Sequence, residues 1–406
     1  MVWAFQPVAQ TLKSAHMKLK HGLHLAYCTN IHRGESWAQI FAALQKYTLA
    51  VRDRVGQGRP YAIGLRLGAD AARELRERPV LLAFQRWLEQ EQCYVFTVNG
   101  FPYGKFHGAR VKEQVYAPDW TTRERLDYTN LLFDLLAEIV PPGVAGSVST
   151  VPVSFKEFIR EPSQIDAAAA NLWQCVEHLD TLCDKTGKDL HLGLEPEPLC
   201  YLETTAETVR FFEWMRKQRP GDTRLGARLG VNYDCCHLAV EFEDAREALG
   251  RLEEQGIRLS KIHLSSALRV LPTPQARAAL REFADDIYFH QVVARGPDGA
   301  ITRHRDLDVA LARAEEQGPA AGEEWRIHFH IPLHSPPTAL YGNTQDHIAG
   351  VLAATSANPG RCAHFEMETY TWEVMPPELK NRDVVEQLVS EYDWTLARLR
   401  EHGLAD

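Results

Sequence analysis

The chain has 406 residues, 45% of them hydrophobic and 24% charged, with a formal net charge of −9. That balance suits a soluble globular protein with room for one large domain or two smaller ones. It argues against a surface built for nucleic acid or anionic lipid, which needs clustered Lys and Arg. No apolar run approaches the roughly 18 residues a membrane span requires.

The N-terminal stretch "MVWAFQPVAQTLKSAHMKLKHG" has no apolar core followed by a small-residue cleavage site, so it does not read as a secretion signal. The eight cysteines stand singly apart from Cys235–Cys236, and no CxxC pair occurs. A disulfide framework is not expected in a chain of this size, and a reduced, cytoplasmic protein is.

Strand-like runs then recur along the chain at 22–28, 61–68, 93–100, 146–153, 190–196, 229–234, 259–266 and 363–370. Stretches such as "SWAQIFAALQKYTLAVRDRV" and "RERLDYTNLLFDLLAEIV" separate them, with apolar residues at helical spacing. Strands apolar on both faces that alternate with helices imply a parallel sheet. Eight such units suit a (β/α)8 TIM barrel spanning residues 1–406 as a single domain. A doubly wound sheet is the alternative, but no G-x-G-x-x-G follows the first strand. Between strands seven and eight lies a long insertion, residues 267–362. It carries a hairpin turned at Gly-Pro-Asp-Gly and then "WRIHFHIPLH", expected to place His328 and His330 on one face of a short strand near the barrel mouth.

In a barrel the C-terminal strand ends converge on one rim, and chemistry is built there. Here the fifth strand ends in Glu195 within "GLEPEP", the sixth in Asp234 with His237 one turn on, the seventh carries His263, and the eighth carries Glu366 and Glu368. One such residue alone would be an ordinary loop polar group or a satisfied core histidine. Four successive strand ends of this type point to a shell for a divalent cation such as Mn²⁺, Mg²⁺, Co²⁺ or Zn²⁺. Residues two apart on a strand share a face, so Glu195 and Glu197 compete for one position, as do Glu366 and Glu368.

This series, E / D-x-x-H / H / E-T, resembles the xylose-isomerase-like TIM barrels, which include sugar epimerases and, more distantly, endonuclease IV. Within that superfamily the chain looks like the EboE group of metabolite traffic proteins. That likeness runs along nearly the whole chain, through "YCTNIHRGESW", "YVFTVNGFPYGKFHG", "VYAPDWTTRERLDYT", "LEPEP" and "WRIHFHIPLH". The resemblance implies that Glu195, Asp234, His263 and Glu368 hold the metal, and that His237 faces substrate or a second ion. It also implies a second metal or substrate contact from His328 and His330, with His334 near. The third and fourth strands end in Asn99 and Ser149-Thr150, where endonuclease IV-like enzymes have histidines, so a trinuclear phosphodiesterase centre is not expected.

Glycine-rich loops at 28–36 and 99–108 bring His32, Arg33, Tyr103, Lys105 and His107, and glycine there permits close backbone approach to a ligand. His24, Asn99, His107, Glu197 and Glu366 complete the expected substrate contacts, although His24 faces either into or out of the barrel. Cys235 and Cys236 read as packing residues. The leading functional expectation is a metal-dependent isomerase or epimerase of a sugar, cyclitol or similar polyhydroxy carbonyl compound, with Glu195, Glu368 and His237 as catalytic groups and no nucleotide cofactor. A metal-dependent phosphoester hydrolase and a non-catalytic metabolite carrier are the alternatives. Solvent deuterium entering substrate at carbon separates the first from both others. An oligomer is compatible with the sequence.

Overall fold

A computed structural model describes residues 19–406 apart from 109, 378 and 381. The stretch read as lacking a secretion signal therefore lies, up to residue 18, outside the described residues. Eight parallel strands form the centre: β1 (His24–Tyr27), β2 (Tyr61–Arg66), β3 (Cys93–Asn99), β4 (Gly146–Thr150), β5 (Leu190–Leu194), β6 (Leu229–Asp234), β7 (Arg258–Leu264) and β13 (His364–Met367). They pair in the order β1-β13-β7-β6-β5-β4-β3-β2, and a bridge between Cys28 and Gly64 closes β1 onto β2. Nearly every strand residue is buried, as expected for strands covered by side chains within and helices outside.

The helices arise where the apolar periodicity puts them, and polar caps set their starts. Ser36 caps Trp37–Ala43 in a capping box with Gln39, while Thr122 caps Arg123–Ile139 by accepting from the Arg125 amide. Among the described residues, no helix is long and apolar enough to cross a membrane.

Between β7 and β13 the chain builds a second sheet from β8 (Leu268–Val270), β9 (Val292–Arg295), β10 (Ile301–His304), β11 (Glu324–Ile327) and β12 (Gly342–Asn343), in the order β10-β9-β11-β8-β12. β9 and β10 are the two arms of the hairpin turned at Gly296–Gly299. The strand containing Trp325 stops at Ile327, so His328 and His330 lie just beyond it rather than on it. The pairing with β9 runs on through one more bond, His328 N–H to the Gln291 carbonyl, before Ile331 N–H turns to the Ser266 carbonyl. The Ser266 bond ties the histidine-rich segment to the chain just beyond the C-terminal end of β7.

Candidate metal centre and its cavity

Alternation along β7 turns Lys261, His263 and Ser265 to one side, and all three are buried among groups from neighbouring strands. His263 is the centre of the constellation. Its Nδ1 lies 3.1 Å from Glu195 Oε1, 3.2 Å from Asp234 Oδ2 and 3.2 Å from Glu368 Oε2. One donor atom from each of Glu195, Asp234, His263 and Glu368 falls within 4.8 Å of all the others. Among the described residues, Glu195 Oε2 and Asp234 Oδ2 are buried without a hydrogen-bond partner. Buried carboxylate oxygens left unpaired are costly, and three carboxylates converging on one imidazole nitrogen form a donor set suited to a divalent cation.

The other face of His263 explains how that nitrogen is aimed. Its Nε2 is 2.8 Å from Glu366 Oε2, which also accepts from Lys261 Nζ at 2.6 Å. An Nε2–H donated to Glu366 leaves the Nδ1 lone pair for the cluster, the arrangement that orients metal-binding histidines in general. Burial alone would raise the Glu366 pKa, but Lys261 and His263 bring it down to about 2, so it stays an acceptor. Burial opposes charge on His263, yet Glu368, Glu195 and Asp234 raise its pKa well above the usual histidine value. Glu366, expected among the substrate contacts, is thus held beneath His263 and does not reach the cavity.

Other neighbours position the carboxylates. Asp234 Oδ1 caps its own helical turn through the His237 amide at 2.9 Å and accepts from Ser265 Oγ at 2.7 Å. Glu368 Oε1 accepts from Asn30 Nδ2 at 2.8 Å and Asn99 Nδ2 at 3.0 Å. Asn99 was anticipated, but as a substrate contact. Asn30, Lys261 and Ser265 were not singled out. Inward alternation with His263 was available as a signal for the last two, whereas Asn30 sits in a loop with no periodicity to betray it.

Above the cluster opens a cavity of about 530 Å³ including its mouth, lined in part by Glu195, Glu197, Glu368, His237 and His328. Glu197 faces this space, and burial lifts its pKa to about 7 against the opposing pull of His237 and of the Tyr116 hydroxyl that donates to it at 2.6 Å. His237 Nδ1 meets the Pro196 carbonyl at 3.1 Å, and its Nε2 lies 3.4 Å from His330 Nε2. Burial disfavours charge on His237, but Asp234 and the glutamates outweigh it and raise its pKa. A second group of donors, Asp234, His237 and His330, also falls within 4.8 Å, as does the set Cys236, His328 and His330. The sequence favours packing over ligation for Cys236, and the structure brings it among these donors.

Three expected residues lie elsewhere. His24 opens β1 in register with His364, at the end of the barrel opposite the strand tips, with Tyr94 Oη 2.9 Å from its Nδ1 and Phe96 stacked on its ring. His107 Nε2 bonds the Asn30 carbonyl at 2.7 Å and borders a separate surface cleft with Glu35. His334 belongs to none of the donor groups, and burial lowers its pKa to about 4. Of the other loop residues, Arg33 pairs with Glu373 and His32 stacks on Tyr47, and neither lines the cavity.

No protein-family model matches the chain, and no curated protein does. Solved structures do resemble it. A D-tagatose 3-epimerase-like protein superposes with a TM-score of 0.51 at 11% identity, covering 93% of this chain and 98% of that one. The shared fold is the (β/α)8 TIM barrel. A xylose isomerase domain protein from Planctomyces limnophilus gives 0.49 at 14% identity over 87% of this chain and 92% of its own. An L-ribulose 3-epimerase gives 0.49 at 12% identity, over 93% and 95%.

Proposed function

We propose that the protein is a divalent-metal-dependent isomerase or epimerase of a sugar, cyclitol or related polyhydroxy carbonyl metabolite. The observation that carries this reading is the buried quartet Glu195, Asp234, His263 and Glu368, whose donor atoms converge within 4.8 Å while two of its oxygens lack partners. Zn²⁺, Mn²⁺, Mg²⁺ or Co²⁺ suits three carboxylates and one imidazole. Bound there, such an ion polarises a carbonyl and acidifies the adjoining C–H. The chain's own groups then account for the proton. Glu195 and Glu368 come from separate strands and both border the cavity, so one removes the proton from carbon and the other returns it. His237, also on the cavity wall, hydrogen-bonds the oxygen on which negative charge develops. Asn30 and Asn99 hold Glu368 in place, and Glu366 with Lys261 holds His263.

The sequence motifs support a place nearest the EboE metabolite traffic group within this fold. Residues 267–362 are read as part of the same single domain, covering the mouth. Eight buried free thiols support a reducing, cytoplasmic setting.

One observation favours a second reading. His330 with Asp234 and His237, or with Cys236 and His328, offers donors for a second ion, and two-ion sites suit phosphoester hydrolysis. Incubation with candidate ketoses and inososes in deuterium oxide decides between them. An isomerase incorporates deuterium at carbon, and Glu195→Gln and Glu368→Gln abolish it. Release of phosphate from phosphoesters without any carbon exchange would reject the isomerase reading.

A further inference from the structure

The wall of the cavity away from the quartet is built from Phe101, Pro102, Phe106, Val111, Val115 and Phe289. These come from the loop after β3 and from the insertion, and Phe106, Val111 and Tyr288 form an apolar cluster where the two meet. Phe106 contacts Tyr288 and Tyr370 at ring-centroid distances of 5.2 and 5.5 Å, while Phe101 meets Tyr116 at 6.0 Å.

Polar groups on the same wall are already engaged within the protein. Lys112 Nζ is 2.5 Å from Asp306 Oδ2, so its charge is neutralised. The Tyr116 hydroxyl donates to Glu197 and accepts from Gln291 at 2.9 Å, and the Tyr288 hydroxyl donates to the Phe106 carbonyl at 3.1 Å. Asn99 Nδ2 is engaged with Glu368, which leaves Asn30 Oδ1 as a buried acceptor without a partner among the described residues. Glu197, His237 and His328 can meet hydroxyls near the quartet, but a hexose reaching along the phenylalanine wall would bury its outer hydroxyls against carbon, and each such group is costly. A phosphate on this wall would find only the Lys112 cation, which Asp306 already pairs.

From this partition of the walls we infer that the substrate is an uncharged molecule joining a hydroxy-carbonyl head to a flat apolar group, aromatic or cyclic. The head meets the quartet and the apolar group meets the phenylalanine wall. The head rests on the isomerase reading above; the apolar group rests only on the wall.

The test titrates the protein, loaded with the divalent ion it retains on purification, with hydroxyacetone, D-fructose and 2-hydroxyacetophenone by calorimetry. Hydroxyacetone and 2-hydroxyacetophenone share a head and differ by methyl against phenyl. The aryl ketone is expected to bind at least about tenfold tighter than either other ligand, as the burial of one ring predicts after losses on ordering. Phe101→Leu and Phe289→Leu should each reduce that preference while leaving hydroxyacetone affinity and metal content unchanged. Equal affinities, or tighter binding of fructose, would overturn the inference. Deuterium exchange at the carbinol carbon is followed in the same samples. Aryl preference without exchange defeats the isomerase reading and keeps the apolar group, whereas exchange on fructose without aryl preference does the reverse.

Discussion

Glu366→Gln tests whether the carboxylate beneath His263 is what makes its Nδ1 a ligand. Glu366 Oε2 accepts from both His263 Nε2 and Lys261 Nζ, and Lys261 has no exposed surface. Two losses should follow. Stranding the Lys261 ammonium, left with Ser149 Oγ at 3.1 Å, costs about 3–5 kcal/mol of stability, the usual penalty for breaking a buried pair. Weakening the hold on the imidazole costs about 10–100-fold in metal affinity, as for other carboxylates that orient a metal-binding histidine. Adding Lys261→Met separates the two, because it removes the stranded charge without restoring the carboxylate. Chemical unfolding and a competitive chelator titration are run on wild type, the single variant and the pair. The pair should regain most of the stability and none of the affinity. Wild-type affinity in Glu366→Gln, or recovered affinity in the pair, would show that the charge on Glu366 is not what makes Nδ1 a ligand.

Gly64→Ala probes the same carboxylate from the other side: a Cβ there would lie 2.0 Å from Glu366 Oε1 and 2.8 Å from the Tyr27 carbonyl. It should cost about 1–3 kcal/mol in unfolding experiments and weaken ion binding in the chelator titration, since a pinned carboxylate cannot retreat freely. His263→Ala should empty the main site by elemental analysis, while His330→Ala should keep that ion and lose only a second one; the opposite pattern would move the centre to the insertion. Glu391 is fully buried, and desolvation raises its pKa from 4.5 to about 7 against hydrogen bonds from Thr369, Leu333 and Gln387. The native state therefore keeps a proton that the unfolded chain has released across that window, so stability falls as pH rises through it, by up to about 3 kcal/mol. Glu391→Gln should flatten that fall when unfolding is compared at pH values below and above the window.

The barrel was legible because its strands are apolar on both faces and its helices are not. Eight runs of the first kind between amphipathic stretches leave few architectures, and each run became a strand within a few residues of its expected limits. The insertion was harder. Its hairpin announced itself through Gly-Pro-Asp-Gly, but β8 and β12 are only 3 and 2 residues long, too short to show a period. "HFHIPLH" alternates like a strand, yet only the His328 amide stays with β9, and the Ile331 amide turns to the Ser266 carbonyl, which no local pattern identifies.

Period-two reasoning carries a specific blind spot at the site. It shows that Glu366 and Glu368 share a face but not how deep each sits along the barrel axis, and two residues of strand are about 6–7 Å. Depth decides their roles. Glu366 lies level with His263 in the β13–β7 register, so its carboxylate meets the imidazole from the side turned away from the quartet. Glu368 comes after the last paired residue, where its amide reaches the Leu264 carbonyl and its carboxylate joins Glu195 and Asp234. On β5 the order is reversed. Glu195 follows the strand directly and belongs to the quartet, while Glu197, two residues farther out, faces the cavity beside Tyr116. The same spacing thus yields a support below the centre on one strand and a cavity group above it on another. What separates the cases is where each strand ends relative to its neighbours, a property of the closed barrel and not of either dipeptide repeat.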